Sequence, residues 1–129
     1  MKQTMDKRYS ESHEWVQIDG DIGVVGVTNY AQKELGDIVY VELPTPGKSI
    51  ESGEEVAVLE STKAAADVYS PVSGEILEVN ETLNDQPELV NQGSETSGWL
   101  YKIRLTKVEE LDKLYDRQSY EGTLEPRDE

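Results

Sequence analysis

Along most of the chain, short apolar runs alternate with polar positions and are punctuated by turn residues. Trp15-Val16-Gln17-Ile18 and Ile22 to Val27 flank Asp19-Gly20-Asp21, a pattern that predicts a β-hairpin. Thr28 to Leu35 predicts a short helix, with Asn29 and Gln32 as its capping box and Gly36 as its stop. Ile38 to Leu43 predicts a strand with Val39, Val41 and Leu43 on one face, broken by Pro44-Thr45-Pro46-Gly47. Glu55 to Glu60, Val68-Tyr69 and Gly74 to Val79 are further strand segments, the last two separated by a turn at Pro71. Asn80 to Gly98 carries the weakest pattern, with one helical turn expected at Asp85-Gln86-Pro87-Glu88. Trp99 to Leu105 alternates, with Trp99, Tyr101, Ile103 and Leu105 on one side and Leu100, Lys102 and Arg104 on the other. Thr106 with Glu109 forms a second capping box, and Val108, Leu111, Leu114 and Tyr115 predict a C-terminal amphipathic helix.

Many short strands with small helices at the edges and end predict a mainly β fold, a sandwich or flattened barrel, and argue against a βαβ arrangement. No composition break divides the chain, so residues 1–129 read as one domain, with 1–7 and 122–129 as loose tails.

Composition narrows the chemistry. There is no Cys, so disulfides, zinc–thiolate sites and thiol nucleophiles are excluded, and any redox group must come from outside the sequence. The single His, His13, excludes a polyhistidine metal site and has no sequence neighbour that would activate it, so it is read as structural. Twelve basic residues against 27 acidic give a net charge of −15. That charge predicts repulsion from nucleic acid and anionic membranes, solubility as a monomer, and partners with positive surfaces. No apolar run approaches the ~20 residues of a membrane span. Met1 to Arg8 resembles neither a signal peptide nor a mitochondrial presequence, so a cytoplasmic location is expected.

The segment with chemical potential is Val56 to Val79. Two strands flank Ser61-Thr62-Lys63-Ala64, and turn residues (Pro46-Gly47, then Pro71 and Gly74) lie on either side. A lysine at such a tip stands in solvent on a fixed backbone, the geometry required of a covalently attached swinging arm. A solvated surface lysine would look the same. Ala64, Ala65 and Ala66 leave the tip uncluttered, although alanines also pack into cores.

Glu60-Ser61-Thr62-Lys63-Ala64 followed by Asp67-Val68-Tyr69-Ser70-Pro71-Val72-Ser73-Gly74-Glu75 resembles the lipoyl-attachment motif of the glycine cleavage H proteins. Ser12-His13-Glu14-Trp15-Val16, Gly26-Val27-Thr28-Asn29-Tyr30-Ala31-Gln32, Leu35-Gly36-Asp37-Ile38-Val39, Val41-Glu42-Leu43-Pro44 with Gly47, and Gly98-Trp99-Leu100 with Lys102-Ile103 are similar to that family in the same order. The resemblance spans roughly residues 8 to 120. Biotin carriers, which place Met on both sides of the modified lysine, and the lipoyl domains of 2-oxoacid dehydrogenases, which read Asp-Lys at the tip, fit less well. The chain departs from the family at Thr62, where Val is commoner, and at Gln92 to Ser97, which lacks a Pro-Tyr-Gly character.

The resemblance implies a hybrid of sandwich and barrel with two antiparallel sheets, like other biotinyl and lipoyl carriers. It implies lipoic acid in amide linkage to Lys63, with Glu60 and Gly74 presenting the lysine to a lipoate ligase or an octanoyl or lipoyl transferase. Glu60 also reads as a strand-end charge and Gly74 as a turn glycine. Ser12, Glu14 and Asp67 match positions that line a cleft for the aminomethyl-loaded arm, where carboxylates would suit an ammonium group. The implied role is that of a carrier and not an enzyme. The partners would be a pyridoxal-phosphate glycine decarboxylase (P protein), a folate-dependent aminomethyltransferase (T protein) and a flavin dihydrolipoyl dehydrogenase (L protein), each acting on the tethered group. A lipoate relay that donates lipoyl groups to other acceptors is the alternative.

Overall fold

The computed structural model describes residues 6–124. Nine antiparallel strands form two sheets. The larger is ordered β1 (Asp6–Tyr9), β2 (Glu14–Asp19), β3 (Ile22–Val27), β9 (Tyr101–Leu105), β8 (Gly74–Val79), β5 (Ser49–Ile50). The smaller is ordered β4 (Ile38–Glu42), β6 (Glu55–Ser61), β7 (Ala65–Tyr69). The two form an open sandwich, not a closed barrel. Inward side chains of both sheets, among them Val16, Val25, Ile76 and Ile103 from one and Val41, Leu59 and Val68 from the other, share one core. No helix among the described residues is long and apolar enough to cross a membrane.

The expected hairpin is present, with Asp19 opposite Ile22 across its turn. Helix α1 (Asn29–Leu35) is capped one residue before the expected position. Thr28 is extended at the cap and its Oγ1 accepts the Ala31 N–H at 3.2 Å. Asn29 and Gln32 do meet, but side chain to side chain at 2.7 Å.

Several expectations need correction. In β4 the pairing register shifts between Ile38 and Tyr40, so strict alternation fails. Ile38 and Val41 are buried, Leu43 is half-buried, and Val39 is 54% exposed. In the second case, β9 begins only at Tyr101, so Leu100 is fully buried and Trp99 half-buried, the reverse of the expected facing. In the third, the segment after β8 holds two one-turn helices, α2 (Thr82–Asp85) and α3 (Leu89–Gln92), which bury Leu83 and Val90. The turn expected at Asp85 to Glu88 is the joint between them.

The fourth correction concerns the C-terminal helix. Val108–Lys113 is a 3-10 helix without a side-chain cap, and the α-helix, α4 (Arg117–Thr123), starts later on an Asp116 cap. Val108, Leu111 and Leu114 are spaced by three, which is the 3-10 period. Glu110, not Glu109, is the anchoring acid: its carboxylate accepts the Ser73 N–H and hydroxyl, both at 2.7 Å. Asp6 and Lys7, from the expected N-terminal tail, pair with Ile18 and Gln17 in β1. Gly122 and Thr123, from the expected C-terminal tail, belong to α4; residues 1–5 and 125–129 lie outside the described residues. A second apolar cluster of Tyr9, Trp15 and Tyr120 seats α4 on β1 and β2.

The β4 bulge makes a testable distinction between neighbours. Ile38→Ala should lower the free energy of unfolding by about 2–5 kcal/mol in urea titrations, as for other core truncations. Val39→Ala should stay within about 0.5 kcal/mol, as for exposed positions.

Candidate functional site

Lys63 stands at the tip of the β6–β7 hairpin, exposed. The tip is held by Ser61. Its Oγ accepts the N–H groups of Lys63 at 3.0 Å and Ala64 at 3.1 Å and donates to the Ala64 carbonyl at 3.1 Å. The Ser61 N–H also donates to that carbonyl at 2.8 Å. Serine suits this job because one short hydroxyl can serve as donor and acceptor to a turn backbone. The Thr62 N–H donates to the Asp37 carbonyl at 3.1 Å, which fastens the tip to the loop after α1.

Gly36 forms the floor beneath the lysine. It sits at φ +86°, in the left-handed region that favours glycine. A Cβ built there would stand 3.0 Å from Lys63 Cε, so the absence of a side chain opens the path of the lysyl stem. No carboxylate among the described residues forms an ion pair with Lys63. The amine is therefore accessible, unpaired and mounted on a fixed backbone, which fits the attachment of an acyl group.

Asn91 locks this floor, and sequence reasoning missed it. Its Oδ1 accepts the Ile38 N–H at 2.8 Å, and its Nδ2 donates to the Gly36 carbonyl and to Gln32 Oε1, both at 2.9 Å. One side chain thus joins α3 to the end of α1 and the start of β4. Its partners are 53 to 59 residues away in sequence, so no local pattern identifies it.

The other candidate residues separate into three places. Ser12 and Glu14 come together beside a cleft of about 290 Å³ that is also bordered by Ser10, Tyr69, Lys113 and Tyr115. Glu14 is only 2% exposed. Its Oε1 accepts the hydroxyls of Ser10 and Ser12, each at 2.6 Å, and its Oε2 accepts the Tyr69 N–H at 3.1 Å. Burial pushes its carboxyl above the ordinary range, and these three hydrogen bonds pull it part of the way back. Asp67 does not border the cleft. It is exposed on β7 and lies close enough to Glu55 to push that carboxyl upward.

Glu60 is exposed on β6, opposite Tyr40 on one side and Ala65 on the other, three residues before Lys63. Gly74 is buried in the other sheet, where a Cβ would run into the Arg104 carbonyl across the β8–β9 pair. That close strand approach accounts for glycine without any contact to Lys63. His13 takes φ 72°, and its Nδ1 lies 2.8 Å from the Tyr120 hydroxyl, so the ring helps hold α4 to the β1–β2 turn.

Two outcomes follow from this geometry. Asn91→Ala leaves the part-buried Ile38 amide and Gly36 carbonyl without their partner and should cost roughly 1–3 kcal/mol in denaturant unfolding. Glu14 has a folded-state pKa raised above its unfolded value, so its contribution to stability is greatest in acid. That contribution falls as pH rises through the raised value. The stability difference between wild type and Glu14→Gln, followed by urea titration from acid to neutral pH, should therefore shift against the wild type as pH rises.

A family model described as glycine cleavage H-protein matches residues 7–127. The glycine cleavage system H protein of Halothermothrix orenii is 55% identical over 117 residues, covering 91% of each chain. That of Parvibaculum lavamentivorans is 51% identical over 120 residues, covering 93% of this chain and 96% of the relative. The crystal structure of a glycine cleavage system H protein from Mycobacterium marinum superposes with a TM-score of 0.83 at 35% identity, covering 94% of this chain and 98% of that one. With matches in sequence and in fold over nearly its whole length, the chain belongs to the glycine cleavage H-protein family.

Proposed function

We propose that this protein is the lipoyl carrier of a glycine cleavage system and holds its lipoyl group in amide linkage to Lys63. The observation that carries this reading is the mounting of Lys63: an exposed, unpaired amine on a tip fixed by Ser61 and Asp37, above a floor without a side chain. When bound, the lipoyl group supplies the reversible disulfide and group-carrying chemistry that a chain without Cys cannot provide.

The chain's own residues act as mount and shelter, and none of them is assigned a catalytic step. Ser61 keeps the hairpin tip from fraying, and Asn91 keeps the floor in register with it. Tyr69, at the far end of β7, lies about 13 Å of strand from Ala65. The cleft that begins there, with Ser12 and Glu14 on its wall, is where a long arm folding back along β7 would arrive. The Glu14 carboxylate, already oriented by two hydroxyls, would attract a cationic amine at the end of that arm.

The partners proposed are the decarboxylase, the aminomethyltransferase and the dihydrolipoyl dehydrogenase of the system, together with the enzyme that acylates Lys63. A relay role has no observation in its favour, and the similar curated proteins carry the glycine cleavage name.

The test is an intact mass after incubation with lipoate, ATP and a lipoate ligase shown to be active on another acceptor. A gain of one lipoyl amide, absent in Lys63→Arg, is expected, and the loaded protein should support glycine-dependent bicarbonate exchange by a purified decarboxylase. An unmodified wild-type chain would overturn the proposal.

A further inference from the structure

The outer face of the β4–β6–β7 sheet is left uncovered beside Lys63. Register and alternation place Tyr40, Glu60 and Ala65 in one row across it and Glu42, Val58 and Asp67 in the next. Glu55 and Tyr69 follow at the far end. The residues between them, Val41, Leu59 and Val68, turn inward to the core. Four large apolar or aromatic side chains stay exposed among the described residues, and three of them, Val39, Tyr40 and Tyr69, belong to β4 and β7.

The face is one-signed as well as partly apolar. The three strands contain no Lys or Arg. Lys48 borders the far end near Glu42 and Glu55 but forms an ion pair with neither. Like charges held close together on a sheet surface repel. Here the Asp67 carboxylate, within hydrogen-bonding reach of Glu55, pushes the Glu55 carboxyl upward. Among the described residues no Lys or Arg forms an ion pair with Glu55 or Asp67 to relieve this repulsion. Exposed tyrosines ringed by carboxylates offer an aromatic anchor and a charge to be matched.

The chemistry at the tip selects the occupant. An enzyme acting on the far end of a loaded arm can stand off by the arm's length. An enzyme that acylates the bare lysine has only the lysyl stem between the reacting nitrogen and the backbone, so it must touch the hairpin itself. In that step the Nζ lone pair forms the amide bond to the acyl carbon. The bond from that carbon to its adenylate breaks, and the amine proton passes to a base of the enzyme or to water.

We propose that the outer face of the β4–β6–β7 sheet is the docking surface for the enzyme that acylates Lys63, met by an apolar patch edged with lysine or arginine. The proposal rests on Lys63 being the acylated residue. Beyond Glu60, whose role the family resemblance already implies, Glu42 and Asp67 supply the charge, and Tyr40 supplies the anchor nearest the tip.

The test is steady-state lipoylation by a purified lipoate ligase with lipoate and ATP, with the carrier concentration varied. Glu42→Lys/Asp67→Lys should raise the KM for the carrier about tenfold or more, because like charge now opposes encounter, with kcat little changed. Tyr40→Ala should also raise KM. A control of equal charge change on the opposite sheet, Asp21→Lys/Glu78→Lys, should leave KM as in wild type. Asp67→Asn separates docking from folding: by removing the repulsion of Glu55 it should raise the melting temperature while it raises KM. Face variants that match the control would overturn the docking surface while wild-type acylation left the reading of Lys63 intact. A wild type that is never acylated would overturn both.

Discussion

Glu14 rises from β2 in the six-stranded sheet, and its Oε2 accepts the backbone N–H of Tyr69 on β7 in the three-stranded sheet. The same carboxylate gathers the hydroxyls of Ser10 and Ser12 on its other oxygen. Burying a carboxylate without a cation is costly, and it persists only where hydrogen bonds replace water. The replacements come from the β1–β2 turn on one side and from β7 on the other, so the charge is satisfied only when the two sheets are in register. That requirement fixes the base of the β6–β7 hairpin and, through it, the direction of its tip. Tyr101 is buried alongside; its hydroxyl donates to Ser70, whose own hydroxyl donates to the Val72 carbonyl, and this continues the polar link past the end of β7.

The tip has its own fixed support. Ser61 closes the turn, Asp37 receives the Thr62 amide, and Asn91 holds the loop that contains Gly36 and Asp37. The hairpin is thus tied at both ends while the Lys63 side chain remains free. A rigid backbone under a mobile side chain is the division of labour that a tethered carrier needs. A flexible backbone would spread the attached group over a larger volume and lower its effective concentration at a partner.

The charge of the chain is not spread evenly in its effects. The net charge of −15 fits avoidance of nucleic acid and anionic surfaces, but a total says nothing about where a partner binds. Sheet pairing concentrates Glu42, Glu55, Glu60 and Asp67 on one surface with two exposed tyrosines, beside the Lys63 hairpin tip. Other carboxylates are used for structure: Glu110 caps Ser73, Asp116 caps α4, and Glu95 pairs with Lys7 and Arg117.

All strands except β1 and the two-residue β5, the short helix after β3, the exposed lysine and its flanking motif were legible in the sequence, because period-two alternation, turn residues and an ordered set of motifs are local properties. Strand alternation misread Val39, because a bulge depends on the partner strand, and Trp99 with Leu100, because β9 starts only where β3 and β8 both pair with it. The sequence alone determined that a lysine stands at a turn between two strands in an acidic chain without thiols. Only the tertiary structure decided that Glu14 is a buried clamp between sheets, that Asp67 faces Glu55 and not the Glu14 cleft, and that Asn91 supports the floor under Lys63. The Glu14 contact exists only once the core has brought the two sheets together, the approach of Asp67 to Glu55 depends on the pairing register of β6 and β7, and Asn91 reaches Gly36 and Ile38 across more than fifty residues of chain.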